Sequence, residues 1–120
     1  MDWIKLHRQL LQWEWFDNSA MVHVFVYCLL RANYSDNNWH NIVIMRGQFV
    51  TSLNKISSAT GLSLQKIRTC LNRLKKSGEI SIKSTNEYTI ITICNYDNYQ
   101  DCKNDNNKRT TNEQQTNNNK

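Results

Sequence analysis

Between Leu64 and Ser77, polar and cationic residues recur at a spacing that gathers them on one side of a helix. Stepping about 100° per residue from Ile67, the apolar residues Leu64, Ile67, Cys70, Leu71 and Leu74 fall within about 60° of one direction. Gln65, Thr69, Asn72 and Lys76 fall opposite, with Lys66 and Arg73 flanking on one side and Arg68 and Lys75 on the other. These are the side chains that meet nucleic acid. Gln and Asn pair with adenine, Arg and Lys with guanine, and threonine touches a thymine methyl. Gln65, Lys66 and Thr69, near the helix start, are placed for base edges, whereas Arg73, Lys75 and Lys76 suit phosphates. Cations in a last helical turn also stabilise the helix through its dipole, which is the competing reading of Lys75 and Lys76. Arg68, beside the apolar stripe, has a competing role in supporting a neighbouring helix.

The flanking residues supply the elements that would position this face. Thr51 or Ser52 caps a short helix with apolar positions Leu53, Ile56 and Ala59, closed by Gly61. Ser63 caps the next helix, about Leu64 to Ser77, which stops at Gly78, and it joins the candidate DNA contacts. Glu79 to Lys83 and Tyr88 to Asn95 alternate apolar and polar residues around Ser84-Thr85-Asn86, the pattern of a β-hairpin with a polar tip. Lys83, Thr85 and Asn86 at that tip are candidates for following the DNA backbone or entering the minor groove. Thr and Asn are also ordinary turn formers. Two helices joined at a glycine and followed by a basic hairpin have the layout of a winged helix-turn-helix, an α+β fold whose partner is double-stranded DNA.

Upstream, Trp3, Ile4, Leu6, Leu10, Leu11, Trp13 and Phe16 predict an amphipathic helix over Asp2 to Phe16. Asp17, Asn18 and Ser19 break it, and a second helix from Ala20 to Ala32 is apolar nearly all round. Such a helix lies in the core or is shared with another copy, and the second case implies a homodimer or higher oligomer through the N-terminal helices, at Met21, Phe25 or Leu29. Asn33 to Asn41 reads as a polar turn anchored by Trp39, and the β-branched runs around Gly47 read as a short strand. The folded domain is expected over residues 1–100. Residues 101–120, rich in Asn, Gln, Thr and Lys, read as a disordered tail or linker.

Charge follows the same division. From Asn54 to Asn86 seven cations face one carboxylate, Glu79, a local excess of six in a chain of net charge +5. A localised positive field attracts a polyanion, and a solvated basic face is the plain alternative. Cys28, Cys70, Cys94 and Cys102 are widely spaced and read as reduced thiols; with His7, His23 and His40 they form no metal-ligand spacing, so neither metal nor cofactor is expected. No glycine-rich phosphate loop, nucleophile elbow or carboxylate pair points to an enzyme. No signal peptide or apolar run near ~20 residues is present, so a soluble cytosolic protein without membrane contact is expected.

The opening Trp3-Ile4-Lys5-Leu6-His7-Arg8, Trp13-Glu14-Trp15 and Arg46-Gly47-Gln48-Phe49-Val50-Thr51-Ser52 resemble the N-terminal winged-helix domains of phage replisome organisers and DnaD-like primosomal proteins. Gly61-Leu62-Ser63, Ile67-Arg68-Thr69, Leu71, Leu74-Lys75, Gly78-Glu79-Ile80 and Asn95-Tyr96-Asp97-Asn98-Tyr99-Gln100 continue the likeness, which covers nearly all of residues 2–100. The helix-turn-helix portion is shared by many regulators, while the opening and closing segments are more particular to the replication group. The resemblance implies DNA binding in replication initiation, in the cytoplasm of a bacterial or phage-infected cell, with later segments recruiting a helicase or helicase loader. This chain runs into a polar tail where longer relatives carry a C-terminal domain, so helicase contact is not assigned to it. A transcriptional repressor using the same surface and a winged helix used only for protein assembly remain the alternative readings.

Overall fold

Ser52 and Ser63 each end an extended stretch with a hydroxyl that accepts a backbone N–H three residues on, from Lys55 and Lys66 at 3.2 Å. Each cap starts a helix. The computed structural model describes residues 3–100, and the expected tail at 101–120, including Cys102, lies outside the described residues. The order is α1 (Ser19–Arg31), β1 (Asn37–Trp39), β2 (Ile42–Ile44), β3 (Gln48–Thr51), α2 (Leu53–Thr60), α3 (Leu64–Lys76), β4 (Ile80–Ser84), β5 (Thr89–Ile93) and α4 (Tyr96–Tyr99). The fold is α+β: three principal helices pack with two small antiparallel sheets, β1-β2 and β3-β5-β4. In the second sheet Phe49 and Ile82 both lie opposite Ile91, whose side chain is fully buried.

Helix α1 is a core helix. Met21, Val24, Phe25, Cys28 and Leu29 are buried with Ile56 of α2 and Ile67, Leu71 and Leu74 of α3. Of the two environments open to this apolar helix, the core takes Met21, Phe25 and Leu29, so they are not free to meet a second copy. Burial pushes the Cys28 thiol up to about 12, which keeps it protonated and unreactive near neutral pH.

The expected amphipathic helix over Asp2 to Phe16 does not form among the described residues. Residues 3–7 have no helical assignment, and a short 3-10 helix spans Arg8–Gln12. A tertiary partner displaces the helical bonds. The buried Gln100 side chain accepts from the Lys5 N–H at 2.9 Å and donates to the Lys5 carbonyl at 3.1 Å, as a neighbouring strand would. The chain then advances by three-residue turns, His7 to Leu10, Leu10 to Trp13 and Trp13 to Phe16. Ile4, Leu10, Trp13 and Trp15 pack on the core, while Trp3, Leu6, Leu11 and Phe16 stay exposed.

The polar run after α1 also differs from expectation, forming the β1-β2 hairpin around His40 and Asn41, both at positive φ. Trp39 anchors it edge-on against Tyr88, with ring centroids 5.2 Å apart.

Arg46 and Gly47 form the turn between β2 and β3, where the closing segment docks. The Arg46 guanidinium lies 4.5 Å from the Tyr34 ring centroid and 4.8 Å from that of Tyr96, and its Nε donates to Asp97 at 2.7 Å. Burial acts to lower its pKa, but the Asp97 hydrogen bond and charge outweigh this and raise it. Gly47 has φ +86°, and a Cβ there would stand 2.9 Å from Tyr96 Cβ, an atom fixed to the backbone. Gly61 has φ +77° with open space around it. Gly61→Ala should therefore cost about 1 kcal/mol for its left-handed backbone, and Gly47→Ala about 3 kcal/mol because a steric clash is added. Thermal unfolding of the two variants checks this, and equal losses would contradict the packing at Tyr96.

Candidate nucleic-acid interface

The α2–α3 corner is built from local hydrogen bonds. Gly61 closes α2 in the left-handed conformation, and its N–H bonds the Ser57 carbonyl at 2.8 Å. Ser57 Oγ donates to the Leu62 carbonyl at 2.6 Å, and Thr60 Oγ1 receives the Leu62 N–H at 3.3 Å. Ser63 then opens α3. At the far end Glu79 N–H bonds the Leu74 carbonyl and Gly78 N–H the Lys75 carbonyl, the paired bonds of a glycine-terminated helix.

Burial on one side sets the rotation of α3. Ile67, Cys70, Leu71 and Leu74 are buried, as their spacing predicts. Leu64, which its spacing puts in the same stripe, is 36% exposed at the first position of α3. Gln65, Lys66, Arg68, Asn72, Lys75 and Lys76 are all exposed, and Thr69 is half-buried. Among the described residues Lys66, Arg68, Lys75 and Lys76 enter no ion pair; Arg46 and Asp97 form a salt bridge between the β2–β3 turn and α4. Thr69 Oγ1 donates to the Gln65 carbonyl at 3.1 Å, so its methyl remains the group available for an apolar contact. The one carboxylate of the region, Glu79, accepts a hydrogen bond from Ser77 Oγ. Cys70 lies under this face, its thiol pKa raised by burial against the opposing charges of Arg73 and Lys66.

The hairpin redistributes its expected contacts. Lys83 and Ser84 belong to strand β4, opposite Ile90 and Thr89, and the tip runs from Thr85 to Tyr88. Thr85 builds that tip: its hydroxyl oxygen receives the N–H groups of Glu87 and Tyr88 at 3.2 Å each. Lys83 and Asn86 are exposed without a side-chain partner among the described residues and are free to reach a ligand, as is the carboxylate of Glu87 beside them in the tip. Ser63 has two tasks open to it, since its oxygen already caps α3 while its hydroxyl proton is uncommitted.

Arg68 is exposed, and its side chain makes no hydrogen bond or ion pair among the described residues. Arg73 departs from the free cations. It is half-buried, with its guanidinium 4.8 Å from the centroid of the Trp15 ring. Sequence spacing offered no signal for that contact, because Trp15 lies nearly sixty residues upstream in a segment read as helix.

Comparison with protein-family models, curated proteins and solved structures returns no match. The geometry of the face therefore carries the functional reading. Among the described residues no group of three or more His, Cys, Asp and Glu is placed to hold a metal, and no helix is long and apolar enough to cross a membrane. A cleft of about 670 Å³ lies elsewhere, where the N-terminal segment passes α1 and α4, with Leu6, Leu10, Trp13, Phe25, Leu29 and Tyr99 along its walls.

Exposed like charges without partners contribute little to the fold beyond the small helix-dipole term of a last-turn cation such as Lys76. Replacing Lys66, Arg68 or Lys76 by alanine should leave unfolding free energy within about 0.5 kcal/mol of the parent. Ser63→Ala, which removes a cap, should cost about 1 kcal/mol. Denaturant unfolding measures both, and a loss above 1 kcal/mol at the lysines would mean that they serve the fold.

Proposed function

We propose that the chain is a winged helix-turn-helix protein that binds double-stranded DNA. In this reading α2 and α3 form the helix-turn-helix, α3 is the recognition helix, and β4-β5 is the wing. The observation that carries it is the outer face of α3, where Gln65, Lys66, Arg68, Asn72 and Lys76 stand exposed and uncommitted beside a hairpin bearing Lys83 and Asn86. A helix presenting its first turns to the major groove uses residues of these types for base edges, and phosphate contacts fix its register.

The biological setting we infer is initiation of phage or mobile-element DNA replication, supported by the resemblance of the opening and closing segments to replisome organisers and DnaD-like proteins. A repressor would use the same face. Repeated sites within a replication origin support the replication role, and a single operator overlapping a promoter supports repression. Self-association, if it accompanies this role, has exposed apolar residues available at Trp3, Leu6 and Leu11 rather than the buried face of α1.

The direct test is affinity for duplex DNA against salt concentration. The log-log slope should be about −0.9 for each phosphate neutralised. Lys76→Ala should weaken all sequences alike, whereas Gln65→Ala and Thr69→Ala should change sequence preference, by about 1 to 3 kcal/mol per lost base contact. A flat salt dependence would contradict DNA binding, and a uniform loss for Gln65 and Thr69 would contradict their reading as base contacts.

A further inference from the structure

The Trp13-Glu14-Trp15 turn places two indoles in different surroundings. Trp13 faces the core, with its ring centroid 5.1 Å from that of Phe25, which in turn meets Tyr99 edge-on at 5.6 Å. Trp15 reaches α3 instead, where its ring lies under the Arg73 guanidinium. We propose that Trp15 is a positioning residue for Arg73, holding the guanidinium at the flank of α3 as a preformed phosphate-binding group. The inference rests on the DNA-binding reading and adds to it a residue outside the helix-turn-helix.

Three observations carry it. First, Arg73 lies on the same flank of α3 as Lys66, about two turns further along, so the two cations form a row beside the base-reading face. Phosphates of one strand border a helix seated in the major groove along such a row. Second, the contact with the ring face leaves the Arg73 donors without protein acceptors among the described residues. A guanidinium carries its five N–H groups in its own plane, and an aromatic ring against the flat face leaves the edges open to phosphate oxygens. No hydrogen bond or ion pair from Arg73 is recorded among the described residues, so those edges are uncommitted.

Third, the indole N–H of Trp15, like that of Trp13, is buried with no acceptor among the described residues. A buried indole usually finds one. No hydrogen bond therefore fixes the Trp15 ring, and a phenyl group there would strand no donor. What the indole adds is its stronger attraction for a cation. Ordering the long arginine chain in the free protein lowers the entropy lost when it engages phosphate. Lysine, a flexible point charge without a plane, does not gain in this way.

The experiment is a double-mutant cycle on the full chain with a mixed-sequence duplex, reading affinity across a salt series and thermal stability in parallel. Arg73→Ala should weaken binding and make the salt slope shallower by about one phosphate's worth. Trp15→Leu should weaken binding roughly three- to tenfold, and this loss should vanish in the Arg73→Ala background. Trp15→Phe, which retains an aromatic face of weaker attraction, should bind between the parent and Trp15→Leu, and the parallel thermal stabilities control for loss of folding. Equal losses for Trp15→Leu with and without Arg73 would mean that Trp15 only supports the fold, overturning the proposal while leaving DNA binding intact. An unchanged slope for Arg73→Ala, or no loss for Trp15→Leu, would also overturn it. A parent chain with no salt-dependent DNA affinity would remove the DNA-binding reading and this inference together.

Discussion

The burial of Ile67, Leu71 and Leu74 against α1 and α2 is the constraint on which the rest depends. An α-helix packed on one stripe has no rotational freedom about its axis, so the identity of the outward face follows from the identity of the inward one. Here the inward stripe is apolar and the outward face is almost wholly amide and cation. The Ser63 cap and the glycine-terminated end at Gly78 fix where α3 begins and ends, and so which exposed residues occupy its first turns. Those are the turns that the proposed recognition mode places nearest the bases.

A second clasp lies away from that face. Arg46 sits between the rings of Tyr34 and Tyr96 and bonds Asp97, while Gly47 lets Tyr96 close on the backbone. Gln100 ties the N-terminal segment to the same end of the chain. The Arg46-Gly47-Gln48 stretch and the closing Asn95 to Gln100 stretch, both among the residues that carry the resemblance, therefore include residues whose visible work is architectural. The proposed replication role draws on that likeness, whereas the proposed DNA-binding role draws on the chemistry of α3.

Elements with strong local signals were legible in the sequence. The caps at Ser52 and Ser63, the glycines at 61 and 78 and the spacing of α3 specify their helices within a few residues, and alternation through Ile80, Ile82, Ile91 and Ile93 specifies the hairpin. Features decided at long range were not legible. Gln100 satisfies Lys5 across 95 positions, so helical periodicity in the first sixteen residues describes a helix that tertiary bonds replace. The β1-β2 hairpin hides in an Asn-rich run because His40-Asn41 lacks the glycine that usually marks such a turn. Thr85 was visible as a turn former or a ligand contact, and its hydrogen bonds assign its hydroxyl oxygen to the turn. The partner of Arg73 was beyond reach of spacing for the same reason as Gln100: the contact joins segments far apart in the chain.

The proposed interface occupies one side of the molecule, while the apolar cleft beside Leu6, Leu10 and Tyr99 offers a different surface for a different kind of partner. Backbone amide shifts recorded by NMR during titration with duplex DNA separate the two residue by residue. DNA binding through α3 predicts that the largest shifts fall on Ser63 to Lys76 and on Lys83 to Asn86, with the residues lining the cleft nearly unmoved. Shifts confined to the N-terminal segment and α4, with the amides of α3 silent, would contradict it.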